Sequence, residues 1–584
     1  MKLRSVVTAL ALWAVAHSAF AVPAKPGIMT FTQPDGTVVE AGLKGDEHFH
    51  FYETAAGEIL LRDADGYLRR AVVDAAGEPA ASAVLPGRSV MSTSERENVI
   101  DAIGRRYDAI REAKAAAASR VAPDKIKVDF PTTGEVRGLI ILADFQDVKL
   151  LPKSTKEYFD TKLNTPGYSG EETMGSAHDY FKEQSGGKFQ PVFDVVGPVT
   201  LPKNRADYGV SEDLISLFRD ACVEADKAGT DFTRYDVNND GFVDFVFIIF
   251  AGHGQAQGGP VETIWPAMMD VSNSIYDYFD GLNLSVAACS CELKGAEGED
   301  WDGMGTICHE FSHILGLPDI YDARQTGGYG MGHYDLMCYG PYNADGVKPA
   351  GYTAMDKYTL GWIEPKVLEA PETGVKLDPF SAGGDAYFIV NPENPNEYYT
   401  LENRQPVGFD AGLPGHGLVV SYVHYEQKHW KRNTVNAAAH AGYEHVRILP
   451  ADGSLITSDV TGKEDIYAGS EAGDPFPGKK EVTSLSVATH PSAKWYSNGK
   501  NMEHTLTNIR EDENGVITFD FDSQSGIDDI VAAGEDIRGG HGCVIAPEGA
   551  EVYTLAGARV GTEGLAPGIY IVRTEASVAK VVVK

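Results

Sequence analysis

Five consecutive residues combine two histidines and a carboxylate in a spacing that suits metal chemistry. The run is His309-Glu310-Phe311-Ser312-His313. On a helix, residues four positions apart project from the same face, so both imidazoles can bind one zinc ion. Glu310 lies beside them, where its carboxylate can act as general base on a metal-bound water. A core helix with two coincidental histidines would show the same five letters, so the following residues matter.

The residues after His313 are arranged to return a third ligand to the metal. Gly316 follows three positions later and Asp319 three positions after that. A helix must end before the chain can bend back, and Gly316 permits the backbone angles that such a bend needs. Pro318 prevents the helix from resuming. We therefore predict that Asp319 completes a zinc site with His309 and His313.

A methionine-containing turn about twenty residues further on extends the motif. Residues 334–339 read Tyr-Asp-Leu-Met-Cys-Tyr. The long histidine motif followed by such a turn resembles the metzincin peptidases. The resemblance implies that Met337 packs beneath the zinc as a hydrophobic floor, although alone it would be read as a core methionine. It also offers Tyr339 as a hydrogen-bond donor to the reacting carbonyl, against the alternative of a buried structural tyrosine.

The aspartate at the third ligand position limits which metzincin families the chain can resemble, because most metzincins have histidine there. Asp319 is similar to what the immune inhibitor A-like secreted peptidases show. Further stretches resemble the same family, namely residues 32–37, 315–322, 357–362, 402–405 and 413–418. The resemblance covers roughly residues 28 to 520 and implies a secreted zinc metalloendopeptidase that is made as a zymogen.

A second set of oxygen-bearing side chains indicates a calcium loop. Asp236, Asn238, Asp240 and Asp244 occupy alternating positions around Gly241. This is the front half of an EF-hand-type loop, but the twelfth position holds Phe247 instead of glutamate. We predict structural calcium bound by these four residues, with an Asx-rich turn as the alternative.

Hydrophobic patterning divides the chain into several units. Residues 138–145 and 245–250 are apolar runs typical of strands buried on both faces, and residues 214–225 repeat at helical spacing. Short alternating strands then dominate from about residue 371. We predict an α/β metzincin-like catalytic domain, with a twisted sheet and an active-site helix, followed by all-β domains. The predicted boundaries are a signal peptide at 1–21, a propeptide at 22–125, the catalytic domain at 126–370, a β-sandwich-like domain at 371–523 and a C-terminal sorting or β domain at 526–584.

The two ends of the chain indicate export. Lys2 and Arg4 precede an apolar run, and Ala19-Phe20-Ala21 is a small-x-small cleavage site. No later stretch reaches the roughly 20 apolar residues that a membrane span needs. The last residues, about 526–584, resemble a sorting domain of the type IX secretion route, with a generic β accessory domain as the alternative. We therefore expect a secreted or cell-surface protein whose tail contacts secretion machinery.

The bulk composition argues against nucleic acid as a partner and does not decide how the cysteines pair. The 584 residues carry a formal net charge of -34, which disfavours nucleic acid because a phosphate backbone needs a basic face. Export would permit disulfides among the six cysteines, and a bridge between Cys308 and Cys338 is one option.

These observations predict a zinc endopeptidase acting on proteins or peptides. Two alternatives stay open: a non-catalytic surface binding protein on a peptidase-like scaffold, and a zinc hydrolase that acts on a non-peptide amide. The presence of Glu310 argues against the first, because a purely structural zinc does not need a general base.

Overall fold

The computed structural model describes most of the chain and divides it into two compact units. The described residues are 19–88, 90–118, 130–209, 213–322, 324, 328–437, 444–454, 471–490, 493–522, 537–540, 542–547, 549–554, 558–574 and 578–583. One unit comprises Met1–Ala370 with Gly374–Phe519, and the other comprises Pro371–Thr373 with Asp520–Lys584. Most of the predicted signal peptide and the end of the predicted propeptide, from residue 119, lie outside the described residues. Within them, no helix is both long and apolar enough to span a membrane.

The N-terminal part is an antiparallel meander closed by one long helix. A short strand precedes it, and the bounds are β1 (Ala19–Phe20), β2 (Ile28–Thr32), β3 (Val38–Gly45), β4 (His50–Glu53), β5 (Ile59–Arg62), β6 (Leu68–Val73), β7 (Pro79–Ala81) and α1 (Thr93–Ala118). Strands β2 to β7 pair in chain order. Phe51, Ile59 and Ala71 form a small core with Val99 and Ile103 of α1, which anchors the helix to the sheet.

A six-stranded sheet forms the centre of the first unit. Its strands beyond β1 are β8 (Gly134–Asp144), β9 (Phe189–Thr200), β10 (Phe242–His253), β11 (Ala267–Asp270) and β12 (Asn283–Leu293). The order is β1-β11-β12-β10-β8-β9, and β11 runs antiparallel to its neighbours. Strands β8, β9, β10 and β12 are mutually parallel. Nearly every residue of β10 is buried, as its apolar sequence requires of a strand covered on both faces.

Helices cover this sheet, and one of them carries the histidine motif. They are α2 (Lys156–Asn164), α3 (Ala177–Gln184), α4 (Arg205–Gly209), α5 (Leu214–Lys227), α6 (Gly305–Ile314) and α7 (Ala354–Thr359). Phe311 of α6 packs against the rings of Phe181, Phe193 and Phe245 at centroid distances of 4.9, 5.4 and 5.1 Å. This aromatic contact holds the opposite face of α6 away from the sheet.

The rest of the first unit contains small sheets that start near residue 366. The elements are β13 (Lys366–Val367), β14 (Glu372–Leu377), β15 (Ala386–Val390), β16 (Glu397–Arg404), β17 (Gly417–His424), α8 (Gln427–Lys431), β18 (Val446–Ile448), β19 (Lys494–Trp495), β20 (Lys500–Asn501), β21 (Leu506–Glu511) and β22 (Ile517–Phe521). A five-stranded sheet has the order β13-β15-β16-β17-β18, and a three-stranded sheet has the order β14-β22-β21. In β16 the buried Arg404 pairs with Glu402 and Asp410, which satisfies charges that burial would otherwise penalise.

The second unit is a small β structure. Its strands are β23 (Arg538–Gly539), β24 (Val544–Ile545), β25 (Glu551–Thr554), β26 (Arg559–Val560), β27 (Gly568–Arg573) and β28 (Val578–Val583). Four of them form a sheet in the order β26-β25-β27-β28. Its core includes Val552, Tyr570 and Val572.

All six cysteines lie in described residues and carry free thiols, so the suggested bridge between Cys308 and Cys338 is wrong. The Cys338 Sγ instead lies 3.3 Å from the carbonyl oxygen of Tyr329. Burial raises the pKa of both thiols well above the ordinary value, so they behave as packed apolar side chains.

Candidate metal centre

Helix α6 presents its two histidines in one fixed tautomer. The Nδ1 of His309 lies 2.8 Å from the carbonyl oxygen of Leu336, and the Nδ1 of His313 lies 2.8 Å from that of Leu317. A carbonyl oxygen only accepts, so each Nδ1 must carry the proton. The neutral rings therefore present the Nε2 lone pairs, which is the arrangement that metal-binding histidines use.

Three lone-pair-bearing atoms converge at the end of this arrangement. The Nε2 atoms of His309 and His313 are 3.1 Å apart, and they lie 3.1 and 3.4 Å from Oδ1 of Asp319. All three residues are buried. Among the described residues no hydrogen-bond donor reaches Asp319 Oδ1. Two unprotonated nitrogens and a carboxylate oxygen at these distances repel one another, so the residues fit a shared divalent cation of the zinc type.

The turn that brings Asp319 to the histidines follows the sequence prediction. Helix α6 ends at Ile314, and Gly316 takes a φ of +98°, which side-chain-bearing residues rarely adopt. A deprotonated Asp319 carboxylate at this position supplies the negative charge and the oxygen lone pair that a metal ligand needs.

Asn433 forms two hydrogen bonds with Asp319, and the sequence analysis did not predict this contact. Its Oδ1 accepts from the backbone N–H of Asp319 at 2.6 Å, and its Nδ2 donates to the Asp319 Oδ2. Asn433 itself has a φ of +51°, a conformation that asparagine tolerates better than most residues. The two residues are 114 positions apart, and no local pattern around residue 433 signals the contact.

Glu310, which lies between the two histidines in the sequence, is fully buried and forms a hydrogen bond that the sequence did not predict. Its Oε1 accepts from the backbone N–H of Val22 at 2.8 Å, while no described group donates to its Oε2. Burial raises the pKa of Glu310 well above its ordinary value, and the hydrogen bond from Val22 opposes that shift. A carboxyl group in such an environment is poised to take up and release a proton.

The methionine turn, residues 334–339, lies against the same region. Met337 is fully buried, and its carbonyl oxygen accepts from the N–H of Ile320 at 2.8 Å, which ties this turn to the Asp319 bend. The Tyr339 ring stacks on Tyr329 with centroids 5.0 Å apart, and it lies 6.4 Å from the Tyr321 ring. Tyr339 thus packs within a group of aromatic rings.

The four predicted calcium ligands lie together in one loop. Asp244 accepts from the N–H of Val237 at 2.7 Å and from Asn238 Nδ2 at 2.9 Å. Backbone amides of Asp240 and Gly241 donate to the Asp236 carboxylate. Burial first, then the charges of Asp240 and Asp236, raise the pKa of Asp244 to about 6. The loop therefore concentrates negative charge while its Asx turns fix its shape.

A buried cluster of potential metal ligands beside a glutamate is typical of metal-dependent hydrolases. The family model of the immune inhibitor A peptidase M6 catalytic domain matches residues 128–363. This part of the chain is therefore similar to the peptidase M6 catalytic domain of the immune inhibitor A family. Immune inhibitor A of Bacillus thuringiensis subsp. alesti is 29% identical over 216 residues, which cover 30% of this chain and 30% of that protein.

Pre-pro-metalloprotease PrtV of Vibrio cholerae serotype O1 is 26% identical over 316 residues. That match covers 44% of this chain and 34% of PrtV. The chain thus spans about a third of the length of the curated relatives it matches. Similarity to this metallopeptidase family implies a bound metal, and the cluster of His309, His313 and Asp319 can hold one.

Proposed function

We propose that this protein is a secreted zinc-dependent endopeptidase, made as a zymogen, that hydrolyses peptide bonds of extracellular proteins. The observation that carries the proposal is the convergence of His309, His313 and Asp319 with Glu310 alongside. The proposal keeps the predicted metzincin-like catalytic domain at 126–370, the flanking signal peptide, propeptide and all-β domains, and a tail that engages secretion machinery.

In this proposal His309, His313 and Asp319 would hold a zinc ion, which would acidify a water and polarise the scissile carbonyl. Glu310 takes the proton from that water and returns it to the leaving amine. Its raised pKa suits a group that must accept a proton and then donate it near neutral pH. Met337 closes the floor of the site, and Asn433 fixes the carboxylate of Asp319.

The zymogen part of the proposal is supported by residues 22–25, the N-terminal segment of the predicted propeptide. Val22 has no exposed surface, and its backbone N–H donates a hydrogen bond to the Glu310 carboxylate. A substrate needs the same space, so this segment must leave before a protein chain can bind.

Calcium at Asp236, Asn238, Asp240 and Asp244 remains a proposal with a stabilising role. The accumulated negative charge around Asp244 supports it. For Tyr339 the role of carbonyl donor remains a prediction, and its stacking on Tyr329 equally suits a packing role.

The test is hydrolysis of casein by the purified chain after limited proteolysis. Glu310→Gln keeps the shape of the side chain, so it should keep zinc and lose about 10²- to 10⁴-fold in kcat. Glu299→Gln, on the exposed loop after β12, is the matched control and should behave as wild type. Equal turnover in Glu310→Gln would refute the assignment of the base. A chain that holds zinc but hydrolyses only non-peptide amides would favour the amidase alternative, and absence of bound zinc would favour the binding protein.

A further inference from the structure

Three histidines and a glutamate meet where strands β17 and β18 pair, outside the candidate metal centre. His424, Glu426 and His445 offer ligand atoms that all lie within 4.8 Å of one another. His429 joins them, since its Nε2 lies 3.8 Å from Oε2 of Glu426. These four residues form the histidine cluster. Imidazole nitrogens combined with a carboxylate oxygen are a donor set that suits zinc and similar divalent cations.

Two paired strands position two of the rings. Strand β17 ends at His424, and β18 begins one residue after His445. The N–H of His424 donates to the carbonyl of His445 at 2.7 Å, so the antiparallel pairing of β17 with β18 continues to these residues. Side chains that lie opposite each other on antiparallel strands project from the same face of the sheet. The two ring centroids are accordingly 5.3 Å apart.

The short helix α8 brings the other two ligands to the same place. Glu426 precedes its first residue, and His429 lies three positions further on. Residues three apart on a helix are neighbours on its surface. The N–H of His429 also donates to the carbonyl of Glu426 at 2.9 Å, which closes this turn. The His429 ring then lies 4.6 Å from the His445 ring between centroids, so the helix and the strand pair form one cluster.

Hydrogen bonds at Nδ1 direct two of the Nε2 atoms into the cluster. Nδ1 of His445 lies 2.9 Å from the carbonyl oxygen of His424, which can only accept. His445 therefore carries its proton on Nδ1 and its lone pair on Nε2. Nδ1 of His429 lies 3.1 Å from Oγ1 of Thr434, which leaves Nε2 of this ring for the cluster. Metal-binding histidines use the same division between their two ring nitrogens.

The protonation states match those of metal ligands. Burial, and after it the charge of a neighbouring histidine, lowers the pKa of both His429 and His445. The hydrogen bond from Lys428 lowers the pKa of Glu426. At neutral pH these imidazoles are uncharged and the carboxylate is charged, which are the forms that bind a metal.

The separations of the ligand atoms are close to those of a zinc site. Nε2 of His424 lies 3.9 Å from one carboxylate oxygen of Glu426, and Nε2 of His429 lies 3.8 Å from the other. Both distances are too long for hydrogen bonds. Zinc bonds of about 2.0–2.1 Å place tetrahedral ligands about 3.3 Å apart. Because the Glu426 side chain is partly exposed, a rotation of that side chain can close the remaining gap.

A cation can reach the cluster from solvent. A surface hollow borders Glu426, and it is lined by Asn396, Tyr425, Glu426, Gln427 and Lys428. Lys428 pairs with Glu426 at 2.8 Å, but its side chain is 66% exposed. Exposed ion pairs of this kind contribute little to stability, so a divalent cation can displace the ammonium group.

We propose that the histidine cluster is a second site for a zinc-type divalent cation, and that the bound ion braces the loop that carries Asn433. Thr434 connects the two, because its N–H donates to the carbonyl of His429 at 2.9 Å and its hydroxyl contacts Nδ1 of the same residue. Asn433, the residue before it, hydrogen-bonds to Asp319. A cation on Nε2 of His429 fixes that ring, and through Thr434 it holds Asn433 in place. The bracing rests on the proposed function, since it assumes metal at the candidate metal centre, whereas the second site does not.

The first test counts zinc bound to the full chain after gel filtration, with calcium in excess so that oxygen-rich sites are filled. Wild type should hold one zinc equivalent more than His445→Gln. His416→Gln is the matched control, because His416 is an exposed histidine that pairs with Glu511, and it should hold as much zinc as wild type. Glu426→Gln repeats the comparison at a partly exposed residue, should His445→Gln not fold.

Equal zinc counts in wild type and in the cluster variants would overturn the second site. A single equivalent in wild type that His445→Gln lacks would support the second site and count against the proposed function. Cobalt(II) tests the cluster by itself in His313→Gln, which lacks a ligand of the candidate metal centre. This variant should show the intense visible bands of four-coordinate cobalt, and His313→Gln with His445→Gln should not. Only the weak bands of six-coordinate cobalt in both would mean an adventitious surface ion and overturn the site.

The bracing has a separate readout. His445→Gln should release zinc from the candidate metal centre to a chromophoric chelator about 10-fold faster than wild type, because Asn433 is then held less firmly. His416→Gln should release it at the wild-type rate. Equal release rates in His445→Gln and wild type would overturn the bracing and leave the second site standing.

Discussion

Asn433→Gly should weaken metal binding without unfolding the protein. Asn433 makes two hydrogen bonds to Asp319, one to its backbone N–H at 2.6 Å and one to its carboxylate. Glycine accepts the φ of +51° at this position, so the substitution removes the side chain without backbone strain. The bond to the carboxylate is worth about 1.5–3 kcal/mol and the other about 0.5–1.5 kcal/mol.

The zinc affinity reports only the part of this hydrogen-bond energy that differs between the metal-bound and the metal-free protein. Loss of a group that orients a ligand typically costs 10- to 100-fold in affinity, or about 1.4–2.8 kcal/mol. We therefore expect the zinc dissociation constant of Asn433→Gly to rise by about 10- to 100-fold.

Competition with a chromophoric chelator measures this constant directly. Asn508→Gly is the matched control, because Asn508 also has a positive φ, of 53°, but lies exposed in β21. The control should bind zinc as wild type does. Wild-type affinity in Asn433→Gly would refute the conclusion that Asn433 positions Asp319 for metal binding.

Two further predictions concern stability. Because the folded-state pKa of Asp244 is raised to about 6, its ionisation opposes folding, so calcium-free protein should gain stability as the pH falls from about 6 to about 4. Calcium should raise the Tm of the wild type and remove this dependence on pH. In Asp244→Asn, neither calcium nor this change of pH should alter the Tm. A wild-type Tm that does not change with calcium would contradict the calcium site. Arg404→Leu should lower the free energy of unfolding by about 3–5 kcal/mol in urea titrations, because Glu402 and Asp410 would stay buried without their partner. A loss no larger than that of a surface arginine, such as Arg510→Leu, would mean that the buried pairs contribute little.

The sequence predicted much of the metal centre because its geometry is local. Helical spacing alone places His309 and His313 on one face, and Gly316 with Pro318 ends the helix so that Asp319 can return. Apolar patterning likewise located the strands near residues 138–145 and 245–250, which the structure extends to β8 (Gly134–Asp144) and β10 (Phe242–His253). The disulfide suggestion failed because spacing along the chain does not say whether two thiols face each other.

The contacts that complete the site depend on tertiary structure. Val22 meets Glu310 across 288 positions, and Asn433 meets Asp319 across 114. No local sequence pattern predicts either contact, because nothing in the sequence near a backbone N–H or an asparagine shows which distant residue it will bind. The sequence by itself determined which atoms can bind the metal, because a helix and a turn fix their spacing. The tertiary structure alone decided which residues contact those atoms. Packing brings Val22 of the N-terminal segment to Glu310, and it brings Asn433, in the loop after α8, to Asp319.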